Sequence, residues 1–122
     1  LPWGKIGLTI CYDLRFPTLY RKLAKAGSLF LTVPSAFTET TGKKHWHSLL
    51  RARAIENFCY IFAPAQGGTH YNGRKTFGHS LIISQDGKIL KELKKSEGVI
   101  TTAVNPKLSK NLRLRIPSLK GD

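Results

Sequence analysis

The chain has 122 residues, of which 41% are apolar, 10% aromatic and 22% charged; 20 Lys and Arg against 7 Asp and Glu give a net charge of +13. That apolar share can bury a core, which excludes a disordered chain, and the length fits at most one domain. No apolar run approaches the ~20 residues of a membrane helix, so no membrane span is expected.

Lys5 to Cys11 (KIGLTIC) puts Ile6, Leu8 and Ile10 on one face and predicts a strand. A polar corner follows, CYDLRFP, closed by Pro17. Proline suits the first helical turn, where its missing N–H would lack a partner anyway. Leu19, Tyr20, Leu23 and Ala26 then recur at helical spacing, and Gly27 ends that helix. Ser28 to Pro34 (SLFLTVP) predicts a buried strand. Strand, helix and strand in that order predict a crossover unit in a layered α/β sandwich. Ser35 to Gly42 is expected to be loop. Lys43 to Phe58 predicts a second helix, with Trp46, Leu49, Leu50 and Ala54 on one side. Cys59 to Ala65 predicts another buried strand. Gln66 to Gly78 holds four glycines and is expected to be loop. His79 to Ser84, the Asp86-Gly87 turn and Lys88 to Leu93 predict a hairpin. Val99 to Val104 (VITTAV) predicts a last strand, and Pro106 to Asp122 a short helix followed by a basic arm.

Fully apolar strands need cover on both faces, and two helices cannot supply it for about five strands. The sequence also lacks methionine and starts at the bulky Leu1. Both observations predict that these residues are one portion of a larger layered fold, with the amino-terminal portion missing.

Two cysteines cannot build a disulfide framework and fit a reducing, cytoplasmic setting. Cys11 sits where a buried strand hands over to a turn and a helix. A sharp strand-to-helix turn can expose a nucleophile, and unpaired N–H groups at a helix start stabilise an anion. The N–H of the next residue can face a developing oxyanion. Position alone leaves the alternative open that Cys11 is a small core residue.

GLTICYDLRFP, then LTVPSAF, then TGKKHWHSLLRARAIEN, then GHS, in this order and spacing from about Pro2 to Val104, resembles the carbon–nitrogen hydrolase (nitrilase) superfamily. The stretch PSAFTETTGKKHWHSLLRARAIEN is most similar to the branch of deaminated glutathione amidases and omega-amidases. The resemblance implies an α-β-β-α sandwich and a Cys–Glu–Lys triad that hydrolyses a small-molecule amide through a thioester. It implies no cofactor and no metal, and a homo-oligomer when the protein is complete. Cys11 matches the family nucleophile, and the Tyr12 N–H matches the backbone oxyanion donor. The family's glutamate and lysine both lie far upstream of the cysteine. Only Lys5 is charged among the ten residues before Cys11. Glu39, Glu56, Lys43 and Lys44 are the residues within the chain that could substitute for them, and misplaced groups recover little catalysis. The chain alone is therefore expected to have negligible amidase activity, with a separately encoded amino-terminal half as one partner.

Arg15 has two readings, as a carboxylate-binding residue for substrate or, with Asp13, as a brace of the corner. Arg53 and Glu56, three apart on a helix, predict a structural pair. His45 and His47 are two apart and point in different directions, which disfavours joint metal ligation. His47 stands where related amidases commonly carry glutamate, and His79 is expected to pack or bond near the mouth of the site. The charge raises an alternative, a basic nucleic-acid-binding module; against it, the basic residues gather on no one face. A non-catalytic structural fragment is the remaining alternative.

Overall fold

A computed structural model describes residues 1–121. β1 (Lys5–Leu8), β2 (Ser28–Thr32) and β3 (Tyr60–Ala63) run parallel. Parallel neighbours need a crossover, and the helices supply it. α1 (Pro17–Lys25) links β1 to β2, and α2 (Glu39–Asn57) links β2 to β3. The sheet continues antiparallel through β6 (Ser80–Ile83) and β7 (Ile89–Leu93), in the order β1-β2-β3-β6-β7. The crossover unit, the hairpin and the α/β class are as the sequence predicts.

Three expectations need correction. α2 begins at Glu39, inside the segment expected to be loop. The expected loop over 66–78 contains a small hairpin, β4 (Gly67–Thr69) paired with β5 (Lys75–Phe77). Its strands have three residues each, too few for an apolar period to register. Residues 99–104 form no strand, although β-branched side chains favour one. The segment crosses the face of the sheet rather than lying along its edge: Val99 and Ile100 line a cavity with Phe62 and Ile82. α3 (Pro106–Arg115) then follows.

The two faces of the sheet differ. α1 and α2 cover one, where Leu31, Ile61, Leu81 and Ile83 pack against Tyr20, Trp46, Leu50 and Ala54. Gly42 lets α2 lie against β5, since a Cβ there would stand 2.4 Å from the Phe77 Cβ. The other face carries Phe30, Tyr60 and Phe62 in mutual ring contact. There α3 reaches only part of the sheet: Arg113 donates to the carbonyls of Ser28 and Asn57. Toward β1 that face is bare, with Ile6 38%, Leu8 74% and Ile10 63% exposed. β1 is also an edge strand. Among the described residues no helix is long and apolar enough to cross a membrane.

Candidate active site

The parallel strands all end on one side, where ligands bind in open α/β sheets. The chain leaves β1 through Thr9 and Ile10 and turns sharply at Cys11. Cys11 has φ 42°, a left-handed conformation that an L side chain adopts at some cost. A single 3-10 turn over Cys11–Arg15 follows, and α1 begins only at Pro17. Cys11 therefore starts a short 3-10 turn and not the α-helix itself, and the dipole behind it is small.

Several bonds hold the corner. The Cys11 N–H donates to the Pro34 carbonyl at 2.9 Å. The Asp13 carboxylate accepts from the Ile10 N–H at 2.9 Å, and the Asp13 N–H donates back to the Ile10 carbonyl at 2.9 Å. Before the corner, Thr9 Oγ1 donates to the Thr32 carbonyl at 2.9 Å and accepts from the Tyr20 hydroxyl at 2.7 Å. Burial pushes the Tyr20 phenol up to about 12, so it stays a neutral donor. Behind the corner, the buried Arg53 donates through Nε to the Leu14 carbonyl at 3.1 Å and lies over the Tyr20 ring. Its Nη1 meets Glu56 at 3.3 Å, which is the structural pair that the spacing predicts.

The thiol of Cys11 is half-buried and lines a cavity of about 500 Å³. Ile10 beside it, Pro34, Ser35 and Ala36 after β2, Pro64, Ala65 and Gln66 after β3, and Ser80 complete the wall. A larger space of about 840 Å³ lies between Tyr60, Leu90 and α3, remote from this thiol. Cys59 is buried, and burial pushes its thiol up to about 11. It donates to the Ser28 carbonyl at 3.3 Å and takes a bond from Arg113, as a core residue would.

Among the described residues no carboxylate and no amine lines the Cys11 cavity. Glu39 pairs with Lys95 at 2.8 Å and Glu56 with Arg53, so neither reaches the thiol as a base. Lys43 and Lys44 are exposed on α2 and absent from the wall. Arg15 is also absent from it. Its guanidinium points instead at His45 Nδ1, 3.3 Å from both terminal nitrogens, and lies over Phe37. The Tyr12 side chain is exposed and meets Phe16 edge-on, so only its backbone N–H belongs to the corner.

His45 and His47 diverge, as their spacing implies: His45 meets Arg15, and His47 Nε2 meets Glu92 at 2.9 Å. His79 Nδ1 meets the same Glu92 oxygen at 2.6 Å. The sequence reading placed His79 near the site but missed Glu92, which is 45 residues from His47 and exposed in a strand that holds Lys91 and is flanked by Lys88 and Lys94.

The sequence profile of the carbon–nitrogen hydrolases matches residues 1–114, and the chain belongs to that family. It is 51% identical to the deaminated glutathione amidase of Synechocystis over 97% of this chain and 43% of that protein. The crystal structure of the C. elegans NitFhit protein superposes with a TM-score of 0.93 at 39% identity, over 98% of this chain and 29% of that one. The amidase from Nesterenkonia sp. AN1 superposes with a TM-score of 0.68 at 31% identity, over 76% of this chain and 35% of that one. A mutant of it carries the acetamide moiety of fluoroacetamide covalently on its active-site cysteine. The chain thus spans less than half the length of these relatives.

Proposed function

We propose that the complete protein is an amidase with Cys11 as its nucleophile. The sulfur attacks the carbonyl carbon of a non-peptide amide, such as a deaminated glutathione or the omega-amide of a keto acid. A C–S bond forms, the carbonyl π pair moves to oxygen, and the Tyr12 N–H stabilises that oxyanion. Collapse breaks the C–N bond, and the nitrogen leaves with a proton. Water then cleaves the thioester, which frees the acid and returns a proton to sulfur.

One observation carries this reading: a half-buried thiol at a left-handed strand-to-turn corner, opening on a cavity at the carboxyl ends of parallel strands. Cys59 lacks both the cavity and the accessibility. The adduct on the active-site cysteine of the Nesterenkonia amidase supports the nucleophile, and the Synechocystis relative supports the substrate class. The contacts of Arg15 with His45 and Phe37 favour its reading as a brace of the corner.

Among the described residues the cavity wall offers sulfur no base and the oxyanion no cation. On this reading residues 1–122 are the carboxyl-terminal portion of a single hydrolase domain, inactive alone. The family's glutamate and lysine come from an amino-terminal portion that packs on the bare face of Ile6, Leu8 and Ile10. The complete protein is a cytoplasmic homo-oligomer, in a compartment that keeps both thiols reduced.

The test is amine or ammonia release from deaminated glutathione and alpha-ketoglutaramate. The 122-residue chain alone should show none above the blank. Mixing with the polypeptide encoded upstream should give turnover that Cys11→Ser abolishes. Turnover by the chain alone would refute its incompleteness, and turnover that survives Cys11→Ser would refute the nucleophile.

A further inference from the structure

Beside the cavity, three side chains from three elements meet with no part in the thiol chemistry. His47 comes from α2, Glu92 from β7, and His79 from the residue before Ser80 on the cavity wall. One carboxylate oxygen of Glu92 bonds both His47 Nε2 and His79 Nδ1. All three ligating atoms lie within 4.8 Å of one another. We propose that His47, His79 and Glu92 form a binding site for one divalent transition-metal ion of the zinc type.

The donor set selects the ion. Two imidazoles and a single carboxylate suit zinc, cobalt or nickel, whereas calcium and magnesium require a shell of oxygens. In a tetrahedral zinc site with bonds of about 2.0–2.1 Å, neighbouring ligand atoms stand roughly 3.3 Å apart. To admit an ion the Glu92 contacts at 2.9 and 2.6 Å must open by several tenths of an ångström, and the two histidine nitrogens, within 4.8 Å of each other, must settle to the same spacing. The charge balance points the same way. The chain carries +13, and Lys91 and Lys94 flank Glu92 in sequence, so attraction to acidic charge alone would not hold a cation. Neutral imidazoles bind through nitrogen lone pairs and need no such field.

The rings are held in place before any ion arrives. His79 has φ 60°, its N–H donates to the Lys94 carbonyl at 2.5 Å, and its own carbonyl accepts from Trp46 Nε1 at 2.8 Å. Its ring stacks on Phe77 at 4.1 Å between centroids. His47 meets the same Phe77 edge-on at 5.8 Å. Rings fixed by packing lose little freedom on ligation. The three side chains are 32%, 16% and 26% exposed for His47, His79 and Glu92. Water therefore reaches the cluster, an ion can enter without unfolding, and a water can fill the fourth position. An ion there would tie α2 to β7 and to the segment that leads into the cavity wall.

The test is independent of the amidase reading, because it measures binding. Co²⁺ is titrated into the purified chain carrying Cys11→Ser, which removes the thiol as a competing ligand, in chelator-free buffer. The expected result is visible d–d absorption of a four-coordinate ion, saturating at one ion per chain and displaced by Zn²⁺. Glu92→Gln, nearly isosteric, and His79→Ala should each weaken binding about tenfold or more. Circular dichroism confirms that each variant is folded, and Zn²⁺ should raise the unfolding temperature of the parent but of neither variant. Absence of the Co²⁺ bands, or bands that persist in Glu92→Gln and His79→Ala, would overturn the site.

Discussion

Replacing Arg53 by Met separates the two bonds that its guanidinium makes. Methionine keeps the apolar stem of the side chain, so little packing is lost beyond the guanidinium carbon that lies over the Tyr20 ring at 5.8 Å. What disappears is the Nε bond to the Leu14 carbonyl at 3.1 Å and the contact with Glu56 at 3.3 Å. Leu14 is fully buried, so water cannot replace its lost donor without opening the corner. A buried acceptor left without its partner costs about 1–3 kcal/mol. The Glu56 side chain is 38% exposed, and solvent screens its attraction to about 1 kcal/mol or less. Arg53→Met should therefore cost about 2 kcal/mol and Glu56→Gln less than half of that. Urea unfolding followed by circular dichroism measures both, read as midpoint shifts at a common slope. Thiol labelling of Cys11 gives a second readout, because a corner freed from α2 should label faster in Arg53→Met alone. If Glu56→Gln costs as much as Arg53→Met, the ion pair and not the carbonyl bond anchors the corner, and the reasoning fails.

A thiol reagent at pH 8 should label Cys11 quickly and Cys59 only on unfolding, since a thiol at about 11 is thiolate in only about one part in a thousand there; equal rates in the folded chain would contradict the burial. The same shift has a stability consequence. The Cys59 thiol is raised from 9.0 to about 11, so its contribution is complete below pH 9 and is lost as pH rises toward 11; urea midpoints of Cys59→Ala should lack that decline. Gly42→Ala should destabilise by about 2 kcal/mol, because the new methyl overlaps the base of the Phe77 ring, which cannot swing aside. Leu8→Lys, on the bare face and edge strand, should reduce concentration-dependent self-association in sedimentation velocity.

The parts of the fold legible in the sequence are those whose local pattern and tertiary environment agree. Pro17 at a helix start and Gly27 past its end describe α1 almost to the residue, and the run Lys5 to Cys11 gives the start of β1 but overruns its end at Leu8 by three residues. Residues 99–104 were misread because β-branching reports the comfort of an extended backbone but not the presence of a partner edge. The start of α2 was misplaced because Gly42, a poor helix former, sits where contact with Phe77 outweighs propensity. The Cys11 corner was visible as a handover between two periodicities. The meeting of His47, His79 and Glu92 was not, because it is created by the packing of α2 on the β6–β7 hairpin, and no local spacing encodes that.

The left-handed backbone at Cys11 bears on how variants at this position should rank. Glycine would relieve the strain, asparagine would tolerate it, and alanine would keep it while losing the sulfur. A library selected only for thermal resistance should therefore drift toward glycine or asparagine at residue 11. A library selected for thiol reactivity must hold cysteine there against that drift, and the gap between the two outcomes measures what the corner gives up in robustness to present its sulfur.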